Sequence, residues 1–421
     1  MRWMRAAGRG LLVVAVVLSG YVASGTPSDG ARGDGRGPLT LATAGDLTGY
    51  LGPLLEGWNR THPGEKVTLV ELPDSADETH AQMTTDLRSD NSRFDVLNID
   101  VAWTSEFAAA GWIAPLRRDS FPLKSFLPPV VDTATYDRKL YAVPYVTNAG
   151  LLLYRKDVLA EEGIAPPRTW AELERAAKTG APKHGLDGYA GQLLPYEGLT
   201  VNAAEAVYSA GGTILGDEGE RVTVDSAAAR EGIGFLARGV REGWIPKKAL
   251  TYTEEESRQA FQEGRLLFLR NWPYAYVSAS GKESEVAGKV GALPLPGPDG
   301  PGTSVLGGSN LAVSSHARHP ASATRLLAYL TGEKVQRQVL TRGALPPVRA
   351  ALYQDPALIR KFPYLPTLRA SVLAAAPRPK SPRYDQVSLA VQAAVYDAMA
   401  GHQTPEAAVR RLARELAAIS R

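Results

Sequence analysis

The stretch Phe94-Asp-Val-Leu-Asn-Ile-Asp100 decides the fold class of this chain. Its first six residues form a short, mostly apolar run that predicts a buried β-strand. Upstream of it, a strand pattern at residues 39–44 is followed by a helical pattern at residues 48–60. A second strand pattern at residues 66–72 is followed by a polar helical pattern that runs to residue 90. Repeated strand-helix units are typical of an α/β fold, so we expect a mainly parallel sheet covered by helices on both faces.

Further strands are predicted along the rest of the chain, at residues 140–146, 150–154, 189–193, 265–269, 291–294 and 310–314. The 421 residues exceed what one α/β core usually serves, which favours two lobes. Two lobes imply a cleft between them, and ligands of α/β sheets usually bind in such a cleft.

The composition excludes several kinds of catalytic chemistry. The chain has no cysteine, so it has no thiol nucleophile, disulfide, iron-sulfur cluster or cysteine zinc site. Its six histidines are scattered, without the helical spacing of a zinc hydrolase. Neither a phosphate-binding glycine loop nor a nucleophile elbow is present. We therefore predict no catalytic residue, metal or cofactor.

The N-terminal region indicates export. Residues 1–24 combine a basic head with an apolar run at Leu11–Leu18, as an export signal does, and the glycine-rich residues 25–38 are typical of a flexible tether. The net charge is +3, and removing the three arginines of the signal leaves zero, which argues against nucleic acid as a partner. No later stretch approaches the ~18 consecutive apolar residues of a membrane span, so we expect an extracellular protein.

An aromatic segment, Arg270-Asn-Trp-Pro-Tyr-Ala-Tyr276, follows the predicted strand at residues 265–269. An aromatic face can cover the apolar side of a sugar ring while neighbouring polar groups satisfy the hydroxyls. The alternative is that Trp272 and Tyr274 only fill a core. The capped helical pattern of residues 253–264 places the segment after a helix-strand unit, which favours a ligand site.

Several separate motifs resemble the extracellular solute-binding proteins of carbohydrate ABC importers, particularly the trehalose- and maltose-binding branch. In chain order, they lie at residues 94–107, 108–116, 143–157, 196–202, 270–276, 305–313 and 378–384. The resemblance implies a two-lobed periplasmic-binding-protein fold, like that of maltose-binding protein, whose crossover segments form a hinge. It places residues 39–146 and 304–345 in lobe 1, and residues 147–303 and 346–421 in lobe 2.

The same resemblance implies a set of ligand-binding residues. Asp46 and Asp100 would accept hydrogen bonds from sugar hydroxyls, although either could instead cap a helix. Trp272 and Tyr274 would stack on the sugar, and Arg378 would donate to hydroxyls, with Arg383 as its rival. The remaining expected contacts lie at the crossovers and in the second lobe: Tyr145, Asn148, Glu197, Gly307, Gly308 and Ser309.

Five of these positions carry specific expectations. Tyr145 could serve hinge packing alone, and Glu197 could merely lie in a loop. Gly307 and Gly308 are expected where backbone approaches the ligand closely. Ser309 stands where the family commonly has a tryptophan, so a sugar other than trehalose or maltose becomes plausible.

The predicted function is capture of a mono-, di- or oligosaccharide by a monomer that closes on it and docks on the permease subunits of an ABC importer. The alternative is a secreted glycoside hydrolase using Asp100 and Glu197. A third interpretation keeps the fold and changes the ligand to a polyamine or ferric ion. Leu18-Ser-Gly20 resembles the signal of a bacterial lipoprotein, but Tyr21 stands where the lipidated cysteine would be. Either the protein is released after cleavage of its signal, or the cysteine was replaced in this version of the sequence.

Overall fold

The computed structural model describes residues 35–45, 49–89, 93–216, 219 and 221–420. The strands in chain order are β1 Leu39–Ala44, β2 Val67–Leu72, β3 Val96–Asp100, β4 Thr135–Tyr136, β5 Lys139–Leu140, β6 Ala142–Ala149, β7 Leu151–Arg155, β8 Asp187–Ala190, β9 Leu215–Gly216, β10 Arg221–Val222, β11 Leu266–Asn271, β12 Val290–Pro294 and β13 Leu306–Val313. Each of the two main sheets takes strands from distant parts of this order.

Sixteen α-helices accompany these strands in the described residues. They are α1 Leu51–Thr61, α2 Ala76–Leu87, α3 Thr104–Ala109, α4 Pro128–Thr133, α5 Lys156–Glu161, α6 Trp170–Thr179, α7 Glu197–Ser209, α8 Ala227–Glu242, α9 Glu254–Gln262, α10 Pro273–Ala279, α11 Pro320–Leu330, α12 Glu333–Gly343, α13 Pro356–Lys361, α14 Leu365–Ala374, α15 Tyr384–Met399 and α16 Pro405–Ile419. No helix in this part of the chain is both long and apolar enough to cross a membrane.

The first lobe is built on a five-stranded sheet in the order β2-β1-β3-β13-β6. β1 pairs in parallel with both β2 and β3, and β13 lies antiparallel between β3 and β6. Burial explains why these residues form the centre of the sheet: Leu41, Val96, Leu97 and Ile99 are fully enclosed. The pairing also places Ser309 directly opposite Asp100 at the end of β3.

The second lobe is built on a four-stranded sheet in the order β12-β7-β11-β8. All six residues of β11 are buried, because helices cover this central strand. α9, directly before β11, begins with a capping box between Thr253 and Glu256, and Gly264 follows it with a φ of +72°. This confirms the capped helix and the following strand that the sequence predicts before the aromatic segment.

The chain passes directly between the two sheets. β6 of the first sheet and β7 of the second are separated only by Gly150, and β13 returns to the first sheet after Val305. Pro347 makes a further bridge to Val146 of β6. These connections lie beside each other at the base of the cleft, which is the arrangement that a hinge between lobes requires. The exact lobe boundaries stay a prediction.

The expectation of a mainly parallel sheet is wrong. Among the described residues, the two main sheets contain three parallel and four antiparallel pairings. The physical reason is the crossing between lobes: β13 enters the first sheet from the second lobe, β7 enters the second sheet directly from β6, and each runs against both of its neighbours. The predicted strand at residues 39–44 agrees with β1, whereas β13 begins four residues before the predicted 310–314. The predicted export signal, Tyr21 and residues 25–34 of the tether lie outside the described residues.

Candidate functional site

Asp100 ends β3 and turns into the cleft. Its Oδ1 accepts a hydrogen bond from the Ala102 backbone N–H at 2.8 Å, so it caps the short 3-10 turn Val101–Trp103. The carboxylate thus has the capping role that the sequence leaves open. Its side chain remains 23% exposed, so it still faces the space between the lobes.

Arg378 joins the two lobes through its guanidinium. It lies between α14 and α15, and its Nη2 donates to Asp100 of the first lobe while its Nη1 donates to Glu197 Oε1 of the second at 2.6 Å. The side chain is only 2% exposed. Burial opposes its charge, but Asp100 and Glu197 together raise the pKa of Arg378 well above its ordinary value. The arginine is therefore a permanent cation between two carboxylates.

Glu197 is the first residue of α7 and is buried in a set of donors rather than in a loop. Besides Arg378, its Oε1 accepts from the Tyr384 hydroxyl at 2.5 Å, and its Oε2 accepts from Ser388 Oγ at 2.6 Å. Burial raises the pKa of Glu197 above its ordinary value, although Arg378 acts in the opposite direction. The carboxylate fixes Arg378 against the start of α15.

Trp272 follows β11 and begins α10 as its N-cap residue. The Arg270 guanidinium lies over the ring at 4.1 Å from the centroid, and the ring Nε1 donates to Glu254 Oε1 at 3.4 Å. A Cβ atom on Gly307 would lie 2.8 Å from the ring atoms Cη2 and Cζ3. The edge of the Trp272 indole, from the second lobe, therefore packs on β13 of the first lobe. Asn148 of β6 pairs with Gly307 at this point of β13.

The two glycines of β13 have steric reasons within the protein, and their approach to a ligand stays a prediction. At Gly307, the atoms that leave no room for a side chain belong to Trp272. Gly308 has a φ of +111°, and a Cβ there would lie 2.2 Å from the Val146 carbonyl oxygen. Next to them, Ser309 Oγ is buried and has no hydrogen-bond partner among the described residues.

The remaining predicted residues have the following positions. Tyr145 is 1% exposed in the core, and its contact with a ligand stays a prediction. The Tyr274 hydroxyl donates to Glu255 on α9 at 2.7 Å. Arg383 donates to the Ile419 carbonyl near the end of α16, so it does not replace Arg378. Asp46 lies outside the described residues.

A buried ion pair behind Trp272 was not found by sequence reasoning. Arg270 donates to both carboxylate oxygens of Glu205, at 2.7 and 2.6 Å, and to Gln192 Oε1 at 2.8 Å. Ser304 Oγ donates to Glu205 at 2.9 Å and accepts from the Gly150 backbone N–H at 2.6 Å. The Arg270–Glu205 pair, which supports the Trp272 ring, is therefore linked to two crossover segments, at Gly150 and at Ser304. An arginine in an otherwise apolar strand is the signal that could have indicated a buried acid.

The geometry favours binding over catalysis. A glycosidase needs the scissile bond between its two carboxyl groups, but here the Arg378 guanidinium contacts both Asp100 and Glu197. Within the described residues, no group of three histidine, aspartate or glutamate side chains could hold a metal ion. The cluster offers instead fixed donors, fixed acceptors and one aromatic ring, contributed by two lobes.

Comparisons with known proteins agree with this geometry. The sequence model of the family described as bacterial extracellular solute-binding protein matches residues 44–337. A probable ABC transporter-binding protein of Deinococcus radiodurans is 34% identical over 366 residues, which cover 85% of this chain and 87% of the relative.

Solved structures show the same architecture. The maltose-bound MalE3 protein of T. maritima superposes with a TM-score of 0.85 at 34% identity, over 91% of this chain and 99% of that one. The GacH receptor of Streptomyces glaucescens, solved unliganded and with acarbose, gives a TM-score of 0.80 at 24% identity, over 90% and 97%; it shows the fold alone. The predicted family and two-lobed fold are confirmed, and the match favours a solute-binding protein over the glycoside hydrolase.

Proposed function

Because the chain belongs to the bacterial extracellular solute-binding protein family, we propose that it captures a mono- or oligosaccharide between its lobes for an ABC importer. The single observation that carries this proposal is the position of Arg378, which contacts Asp100 of one lobe and Glu197 of the other. A sugar needs such paired donors and acceptors for its hydroxyls, and an aromatic surface for its C–H face.

Open hydrogen-bonding capacity at the cluster supports a polar ligand. In the part of the chain that the structure describes, Ser309 Oγ and Arg378 Nε are buried without a hydrogen-bond partner. Buried polar atoms are usually satisfied, and an exception is commonly explained by a function. A ligand hydroxyl could donate to or accept from Ser309 and accept from Arg378 Nε, while Asp100 accepts a further hydroxyl proton.

Trp272 gives the apolar half of the proposed contact. One face of its ring is covered by Arg270, and its edge rests on Gly307, so the ring is held in one orientation. The ring is half-buried rather than enclosed, which leaves area that a sugar can cover. Since the replacement of a family tryptophan by Ser309 removes a second stacking surface, Trp272 should carry a large share of the affinity.

Closure of the two lobes links binding to transport. A ligand favours the closed state only by as much as it binds that state better, so it must touch both lobes. The Arg378–Asp100 contact already draws the lobes together, and a sugar that bridges the same groups would strengthen the closed form. We propose that this closed monomer, exported with residues 1–24 as its signal, docks on the permease subunits outside the cytoplasm.

Calorimetric titration of residues 26–421 with sugars, before and after Trp272→Ala, tests the proposal. Loss of the indole should weaken sugar binding by about 1 to 3 kcal/mol, which is about 5- to 150-fold. The matched control is Trp112→Ala: Trp112 is also half-buried, but it packs on Phe107 and Arg88 of the first lobe. The control should leave affinity unchanged. Equal affinity of wild type and Trp272→Ala would return Trp272 to a packing role.

A further inference from the structure

The segment from α12 to the first turns of α14 carries a surplus of positive charge. Residues 333–369 contain seven lysines and arginines but only two acids, Glu333 and Asp355. Without the predicted signal the net charge of the chain is zero, so acids elsewhere in the chain balance this surplus. The charge is therefore unevenly distributed, and this segment can attract an anionic partner that the net charge would not.

Both acids of the segment already have a cation beside them. Asp355 Oδ2 pairs with Arg337 Nη1 at 2.8 Å. Glu333 lies close enough to Arg349 for their charges to interact. Four exposed cations are left that form no ion pair with another residue that the structure describes, and we call them the basic surface: Lys334, Arg342, Arg360 and Lys361.

Two adjacent helices hold the basic surface. The inner side of α12 is buried, whereas Lys334 and Arg342 are exposed on its outer side, about 12 Å apart along the helix axis. Lys361 Nζ donates to the Thr341 carbonyl at 3.3 Å, which places the end of α13 beside this outer side. Arg360 lies next to Lys361 in the last turn of α13. The four charges therefore belong to one region of the protein surface.

Helix stability explains only part of this arrangement. Cations in the last turn of a helix interact favourably with its dipole, which accounts for Arg360 and Lys361 on α13 and for Arg342 on α12. Lys334 is the second residue of α12, at the end where the dipole disfavours a cation. A partner that attracts positive charge would give Lys334 a reason that the fold does not.

The form of the basic surface favours a broad anionic partner. Its cations stand on the outer sides of helices and are spread over more than one helical turn, which suits an extended surface better than one small anion. Centres of protein-protein interfaces are rich in aromatic residues and poor in lysine. Among the described residues, the exposed large apolar side chains are Leu373 and Leu389, and neither is aromatic.

We propose that the basic surface binds the phosphate groups of an anionic lipid bilayer. Lysine and arginine form charge-assisted hydrogen bonds with phosphate oxygens, and each cation near an anionic bilayer strengthens binding about fivefold. The contact goes beyond sugar capture and uses none of Asp100, Glu197 or Arg378. For the proposed role in import, it would raise the concentration of the protein at the membrane.

Co-sedimentation of residues 26–421 with lipid vesicles tests the proposal. The protein should bind vesicles of equal parts phosphatidylglycerol and phosphatidylcholine at low ionic strength, and added salt should release it. Vesicles of phosphatidylcholine alone should not bind it. Replacing all four residues of the basic surface by glutamine should weaken binding to the anionic vesicles at least tenfold.

The matched control removes four exposed cations around the second sheet, so it changes the net charge equally: Arg175, Lys247, Lys282 and Lys289 to glutamine. This variant should lose less than threefold in vesicle binding. Lys334→Gln alone should weaken vesicle binding about fivefold without lowering the melting temperature, because the helix dipole no longer opposes a charge at this position.

Three results would overturn the proposal: no binding of the wild type to anionic vesicles, an equal loss in the two fourfold variants, or binding that added salt does not weaken. Each of them would leave the proposed sugar binding untouched, because titration with sugars uses the cleft and needs no vesicle. Absence of sugar binding would likewise leave vesicle binding as a separate result.

Discussion

Replacing Arg378 by methionine removes a group that contacts carboxylates of both lobes. Breaking a buried ion pair by deleting one partner typically costs about 3 to 5 kcal/mol, because a charge is left buried without its counterion. Here the loss should lie near the lower end, at about 3 kcal/mol. Glu197 keeps the hydrogen bonds that the Tyr384 hydroxyl donates at 2.5 Å and Ser388 Oγ donates at 2.6 Å. Asp100 is 23% exposed and can be hydrated.

Urea unfolding at neutral pH measures this loss, with the double variant Arg378→Met/Glu197→Gln as the control. The double variant leaves no charge buried without a partner at position 197, so it should recover at least half of the stability that the single variant loses. Arg378→Lys should be intermediate, because an ammonium cannot hold the two carboxylates with a planar fork. A single variant within ~0.5 kcal/mol of wild type, or a double variant as unstable as the single, would refute the reasoning.

The effect should also depend on pH. Burial raises the pKa of Glu197 in the folded protein, and removing Arg378 takes away the largest of the effects that oppose this rise. A carboxyl whose folded pKa lies above its unfolded value loses stability as the pH rises between the two values. The destabilisation by Arg378→Met should therefore be smaller below the ordinary pKa of 4.5 than at pH 7.

Two further changes test other parts of the structure. Gly307→Ala puts a methyl group 2.8 Å from the Trp272 ring, so sugar affinity in calorimetry should fall about tenfold. The control is Gly234→Ala on α8, where the added methyl group points into open space and should leave sugar affinity unchanged. Unchanged affinity in both variants would show that the position of the Trp272 ring does not matter. Glu65 has its pKa lowered mainly by the hydrogen bond from Ser322, so its stabilising effect is present at pH 7 and is lost as the pH falls. In urea unfolding, the free-energy difference between wild type and Glu65→Gln should shrink from pH 7 to pH 3, and a constant difference would contradict the assignment.

Local features of the fold are predictable from the sequence. The capping box at Thr253 and Glu256, and the strand that follows, are read from side chains only a few residues apart. Sheet order is not local, because β13 is inserted between two strands that precede it by more than 150 residues. Two of the four antiparallel pairings that made the mainly parallel prediction wrong arise from this long-range insertion.

The candidate site shows the same division. Arg378 contacts Asp100 across 278 residues and Glu197 across 181, and only the family resemblance brings these positions together from sequence. The Arg270–Glu205 pair spans 65 residues, and no periodic pattern identifies Glu205 as the partner. Leu389 appears in the sequence as one more apolar residue of α15, and its exposure is visible only in three dimensions.

A thermal unfolding screen of residues 26–421 against mono-, di- and oligosaccharides, polyamines and ferric iron tests the central claim most directly. A ligand present at 100 times its dissociation constant adds about 2.7 kcal/mol to the free energy of unfolding, which is large enough to measure. We expect stabilisation by one group of sugars and no response to polyamines or ferric iron. No stabilisation by any sugar, together with stabilisation by a polyamine or by ferric iron, would contradict a sugar-binding cleft.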